Sequence, residues 1–288
     1  MRPPRARLGY LLSFVAPGVL VYACLVLAPI LLSFGYSLTN AGLFTTRPHF
    51  VGLANYASLL TDTAFLTSLK VTTILTLIIV IVPNVAGLGV AVLLDRRGRL
   101  YTMLRGVFFL PVVLSSVVVS VVWMAMLQDD GLINRLFGLK VGWLSDPDLA
   151  LFSIGTIISW QMLGFCAVVY LAALQGVPQS LLEAAAIDGA SAWTRFRRVT
   201  WPLLAPALTL NTVMLLITGF KAYDHIQVLT AGGPGRGTTA TVAFDVIQVG
   251  FTADRTGESS AMAILMLVII AVASGAVLRV LGRREVNL

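Results

Sequence analysis

The stretch LKVTTILTLIIVIVPNVAGLGVAVLL, Leu69 to Leu94, holds one charge, Lys70, in 26 residues. At about 1.5 Å per residue, a helix of that length reaches about 39 Å, more than the ~30 Å hydrocarbon core of a bilayer. The two-residue alternation of a barrel strand is missing. Because lipid offers backbone groups no partner, the segment reads as a membrane-spanning helix. Working outward, the spans fall near 10–36, 69–94, 105–127, 151–174, 203–229 and 260–281. The expected fold class is an all-α membrane protein of about six transmembrane helices, a single domain over 1–288.

Composition agrees. A chain of 288 residues that is 58% hydrophobic and 11% charged cannot clothe a soluble globule. A pI of about 9.8 raises nucleic acid as a partner, but the basic residues form no stripe and sit between apolar runs, so no nucleic acid is expected. They set topology instead. Arg2, Arg5 and Arg7, then Arg96, Arg97, Arg99 and Arg105, then Arg195, Arg197 and Arg198, then Arg279, Arg283 and Arg284 place 13 of the 20 basic residues on one side. The opposite loops hold Arg47, Arg135, Lys140, Arg236 and Arg255, while Lys70 and Lys221 lie in or at the ends of spans. Cytoplasmic loops carry the excess of Lys and Arg, so both termini are expected in the cytoplasm. A secretory signal is not expected, since the first apolar run is too long. Cys24 and Cys166 both fall in spans, which argues for packing rather than a disulfide or metal site.

The cytoplasmic loop between spans four and five has an order of its own. Ser180 to Asp188 (SLLEAAAID) reads as a helix, with Ser180 as cap, Glu183 three residues on, and alanines that favour helix. Gly189 then permits a sharp turn or C-cap. A second short helix runs from Ala190 to about Arg198 and ends at Thr200-Trp201-Pro202, with Pro202 in the first turn of span five. The pattern alone fits two readings equally: a helix lying on lipid headgroups with its arginines on anionic lipid, or a docking element for a protein.

A resemblance to a known family favours docking. Glu183-Ala184-Ala185, three residues to Gly189, and nine more before Val199-Thr200-Trp201-Pro202 resemble the EAA loop of binding-protein-dependent ABC importer permeases, where Ile and Leu usually stand in place of Val199 and Trp201. Leu171 to Pro178 (LAALQGVP) and Asp188-Gly189-Ala190 resemble the sugar-type branch. The likeness extends to Val51 to Tyr56 (VGLANY), Arg105 through Leu110-Pro111, Gly131 to Asn134 (GLIN), and Tyr223-Asp224 to Gly235, where the family usually has Phe before the Asp. The resemblance implies a multi-pass subunit of a bacterial-type inner membrane. It implies a second permease, a different chain by the family pattern, two cytoplasmic ATPases, an extracytoplasmic solute-binding protein, and a sugar or glycerol phosphate as solute. It also implies that Glu183, Ala184, Ala185, Asp188, Gly189 and Pro202 form the ATPase-coupling element. ATP and Mg would then be bound by the partner ATPase, leaving no cofactor in this chain.

The chain's own chemistry is consistent. A phosphate-binding loop needs Gly, four residues, then Gly-Lys and Ser or Thr, which occurs nowhere. With no cysteine cluster and only His49 and His225, neither a metal nor a catalytic residue is indicated. Polar residues within spans are the candidates for a solute pathway: Asn84, Gln161 and Asn211, with Lys221, Tyr223 and Asp224 near the outer end of span five. Each amide could equally bond neighbouring helices as packing glue. Spacings of three and four would set Lys221, Asp224 and His225 on one helical face, with Asp224 paired to Lys221. Such a charged element keeps a gradient-driven transporter or channel open as the alternative function, with a non-transporting scaffold as a third.

Overall fold

A computed structural model describes residues 5–96, 98–235 and 237–283, with side chains from Phe14 onward. Arg2, Arg97, Arg236 and Arg284 of the topology pattern lie outside the described residues. Among those described, the chain is helical, and its one β feature is an isolated bridge between Thr39 and Phe50. In chain order the helices are α1 Arg5–Tyr22, α2 Ala28–Ser37, α3 Ala54–Leu59, α4 Thr63–Leu94, α5 Arg99–Val113, α6 Ser116–Leu127, α7 Leu132–Phe137 and α8 Ala150–Gln175. They continue with α9 Gln179–Ile187, α10 Ala192–Arg195, α11 Trp201–Leu203, α12 Ala205–Phe220, α13 Asp224–Leu229, α14 Val242–Ile247 and α15 Thr256–Gly282. Wide π turns at Ala23–Leu27, Phe196–Thr200 and Gln248–Thr252 join some of them. Five segments are long and apolar enough to span: Phe14–Ser37, Thr63–Leu94, Ser116–Phe137, Ala150–Gln175 and Thr256–Gly282. The pair Ala192–Leu203 and Ala205–Phe220, bent by 60°, makes a sixth when its two arms are counted as one span.

The chain divides into two compact units, one of residues up to Thr61 with Val246–Leu265, the other Asp62–Asp245 with the segment from Met266. In the first, Asn55 donates from Nδ2 to the carbonyls of Ser37 and Thr39, both at 2.8 Å, and Tyr56 shares a hydrogen bond with Ser37. The carbonyls left free at the end of α2 thereby find partners. Asp254, at φ +55, accepts from the backbone N–H groups of Leu43 and Phe44, and Gly257 donates to Ala41. These bonds close the turn at 42–45 onto the start of α15.

The second unit is built on α4 and α8. Asp62 caps α4 by accepting from Ala64 N–H at 2.8 Å. Buried positions recur every three or four residues along α4: Ser68, Thr72, Thr76, Ile79, Pro83, Gly87 and Ala91. Gly87 lies against Cys166 and Gly155 against Ile78, so α4 and α8 run parallel with their backbones drawn close. Gly164 admits the backbone of α5 at Phe108, and Gly219 of α12 sits on Thr76. In a bilayer, association rests on such close packing because lipid is as apolar as the helices themselves.

Two expected spans are not single helices. The run near 105–127 divides at Leu114-Ser115, where the backbone turns extended just after Pro111. The run near 203–229 divides at Lys221 to Tyr223, where Tyr223 leaves the helical region at φ −122° and ψ −55°.

Candidate coupling loop and solute cavity

The loop after α8 is two helices and a glycine turn, with three differences from the sequence expectation. The N-cap of α9 is Pro178, not Ser180. Leu181 N–H already bonds the Pro178 carbonyl, which puts Ser180 inside the first turn. The second helix starts at Ala192, capped by Ser191 Oγ on Thr194 N–H at 3.3 Å, two residues later than expected. It does not stop at Thr200-Trp201-Pro202 but passes through the π turn to Leu203, bending at the buried Leu204. Trp201 N–H reaches back to the Phe196 carbonyl, so the wide turn falls just ahead of Pro202, which has no N–H for an ordinary helical bond.

At the turn itself Gly189 has φ +77, Gly189 N–H bonds Ala186 O at 3.1 Å, and Ala190 N–H bonds Ala185 O at 3.0 Å. This paired pattern is the Schellman motif, which a left-handed residue closes. Glu183, Ala184, Asp188 and Gly189 are exposed and Ala185 is half-buried. Ile187 is 87% exposed, an apolar knob beside the acidic and alanine surface.

A separate cavity of about 210 Å³ opens where the two broken helices meet α8. Its walls are Ser116 of α6, Ile158 and Met162 of α8, Ile217 and Thr218 of α12, and Lys221 through His225. Gln161 ties these breaks together. Its Nε2 donates to Leu114 O at 3.0 Å, and its Oε1 lies 2.9 Å from His225 Nε2. One amide therefore satisfies the carbonyl freed at the first break and holds the helix after the second.

The six pathway candidates separate into two groups. Lys221, Tyr223 and Asp224 line the cavity. Asn84, Gln161 and Asn211 are buried and bonded between or along helices: Asn84 to Val80 O and Tyr170 OH, Asn211 to Cys166 O. The expected face joining Lys221, Asp224 and His225 does not form, because Lys221 caps α12 while Asp224 begins α13. Nor do Lys221 and Asp224 pair, since the one ion pair among the described residues is Arg255–Glu258.

Residues 84–286 match the family described as the binding-protein-dependent transport system inner membrane component. The chain belongs to that family. The probable starch degradation products transport system permease protein AmyD of Thermoanaerobacterium thermosulfurigenes is 32% identical over 280 residues, covering 96% of this chain and 94% of that protein. The trehalose/maltose transport system permease protein MalF of Thermococcus litoralis is 33% identical over 272 residues, covering 92% and 90%. In fold, the chain is similar to a bacterial ABC transporter involved in import of the acidic polysaccharide alginate, with a TM-score of 0.82, 19% identity and 96% coverage of both chains.

As an inner-membrane component of such a system, the permease holds two features that spacing did not point to. Ser116 and Met162 reach the cavity only because α5 and α6 part at Leu114, which a continuous apolar run conceals. Two shared motifs also gain a physical role. Asn134 of GLIN donates to Asp129 O and Val141 O and accepts from Trp143 Nε1, pinning its loop, as Asn55 of VGLANY pins the end of α2.

Proposed function

We propose that this permease carries a sugar or sugar-like solute inward, received from an extracytoplasmic binding protein and driven by ATP hydrolysed on two separate cytoplasmic subunits. The observation that carries this reading is the exposed α9 helix closed by Gly189 and joined directly to α8 and to the bent pair. Both legs of the loop are spans, so displacement of α9 by a closing ATPase dimer tilts α8 and α12. Glu183, Ala184, Ala185, Asp188 and Gly189 form the docking surface, and Pro202 carries the chain into the bend. ATP and Mg belong to the partner subunits, and this chain holds no nucleotide site or cofactor of its own. A second permease, a different chain, completes the pathway, and both termini lie in the cytoplasm with the loop.

The cavity suits a neutral polyol. An ammonium donor at Lys221, a carboxylate acceptor at Asp224 and the phenol of Tyr223 can each engage one hydroxyl. The names of the relatives, starch degradation products and trehalose/maltose, point to the same solute class. The test is uptake into proteoliposomes holding the permease with its partners and binding protein, using maltose, trehalose and glycerol phosphate. ATP-dependent uptake of a sugar is expected. Gradient-driven flux through this polypeptide alone would replace the reading with a secondary transporter.

A further inference from the structure

The two helices of the loop expose different chemistry. The first presents Glu183, alanines and Asp188. The second carries an aromatic ladder, with Trp193 and Phe196 stacked at 5.8 Å and Phe196 and Trp201 at 6.4 Å. Trp193 is 68% exposed and Trp201 41% exposed. Arg197 and Arg198 sit exposed in the π turn immediately before Trp201. Beside Trp201 lies a cavity of about 170 Å³ whose walls are all apolar: Trp201, Pro202, Leu204, Ala205, Leu208 and, from the far end of α15, Leu281.

We propose that this segment holds an anionic phospholipid of the cytoplasmic leaflet, its phosphate on Arg197 and Arg198 and the end of one acyl chain in the cavity beside Trp201. The inference goes beyond the import reading and takes from it only the placement of the loop on the cytoplasmic side. Charge complementarity selects the occupant. No Asp or Glu occurs from Gly189 to Tyr223 or from Ser259 to Arg284, the stretches that hold the cavity walls, with Asp188 and Glu285 next in sequence outside them. Among the described residues neither arginine forms an ion pair. Indoles at an interface beside arginines have one apolar body and one polar rim to satisfy together, which a headgroup above an acyl chain does. An acidic protein groove would meet the arginines but leave the apolar cavity and the 41% exposed Trp201 without use. The cavity also lies where α12 begins and α15 ends, the level at which a lipid headgroup meets its chains. Trp201, where the family usually has Leu, thereby gains a role as the cavity's wall.

The test uses the full complex of this permease with its partner subunits, purified in detergent. Retained phospholipid is read by native mass spectrometry after exchange with phosphatidylglycerol or phosphatidylcholine of matched chains. The complex is expected to retain phosphatidylglycerol in preference. The double variant Arg197→Gln/Arg198→Gln should lower that retention about 25-fold, from roughly five-fold per arginine near a charged surface. Trp201→Leu keeps both charges, so its effect should appear with long-chain lipid and vanish with a short-chain analogue of the same headgroup. It also serves if the double variant does not fold. Equal retention of the two lipids, or unchanged retention in both variants, would overturn the proposal. So would competition by millimolar inorganic phosphate, which would indicate a plain anion site, or loss of the ATPase subunits with lipid retained, which would assign the arginines to protein docking. Because the readout needs neither ATP nor solute, failure here leaves the import reading standing, and failure of import leaves the lipid result standing.

Discussion

Replacing Gly189 tests whether the proposed coupling loop acts through its shape. At φ +77 a side chain brings a left-handed cost of about 1–2 kcal/mol, while no atom lies within 4 Å of the position a Cβ would take. The perturbation is therefore conformational and free of clash. Gly189→Ala should reduce binding-protein-stimulated ATP turnover about 5- to 30-fold, the ratio that 1–2 kcal/mol sets between the formed turn and its alternatives. Gly189→Asn should lose less, because Asn tolerates the left-handed region. Gly189→Pro should abolish coupling, since proline fixes φ near −65° and removes the N–H that bonds Ala186 O. Gly176→Ala is the control in the same loop, with φ −81° and its nearest contact at 3.4 Å. The assay is ATP hydrolysis and solute uptake in proteoliposomes, with thermal unfolding of each complex alongside. An order Ala equal to wild type, or Asn as damaging as Pro, would refute the turn as the coupling element.

Other positions give further outcomes. Glu183→Lys should separate ATP hydrolysis from uptake while the spans still insert, checked by membrane fractionation and co-purification of the ATPase. Gln161→Leu leaves Leu114 O without its partner and strands the buried His225 ring, the latter costing about 1–3 kcal/mol, and should lower the melting temperature of the complex and weaken uptake together. Asp245 accepts from Ser68 beside a cavity of about 420 Å³, and burial raises its pKa more than that bond lowers it, with Asp62 raising it further. The native state then binds the proton more tightly than the unfolded one, so stability is full below the ordinary carboxylate range and falls as pH rises through the raised value. Asp245→Asn should flatten that fall, read as melting temperature against pH.

What the sequence discloses here follows from which physical signals are local. Hydropathy locates the spans, because a run such as Thr63 to Leu94 is apolar over its whole length whichever neighbours it meets. Gly189 is legible too, as a glycine directly after an alanine-rich helix, and its Schellman bonds are local to six residues. The cavity is not legible. It depends on breaks at Leu114 and at Lys221 to Tyr223; no hydropathy change marks the first, and the charges at the second read equally as the end of a span. Helical spacing therefore placed Lys221 and Asp224 on a common face that the backbone does not preserve. Ser180 illustrates a competing local rule: it has the chemistry of a cap, but Pro178 starts the helix two residues earlier. The partners of Asn55 and Gln161 lie 16 to 64 residues away, beyond any local pattern.

The clasp between Asp254 and the turn at Leu43 has a consequence for biogenesis. The two residues are 211 positions apart. At about 5–20 residues per second, translation separates their emergence from the ribosome by roughly 10–40 s. Throughout that interval the first helix is already made while the segment that fixes the turn after it does not yet exist. Nascent chains halted before Asp254 should therefore show that turn open to protease, and chains released after Gly257 should show it protected.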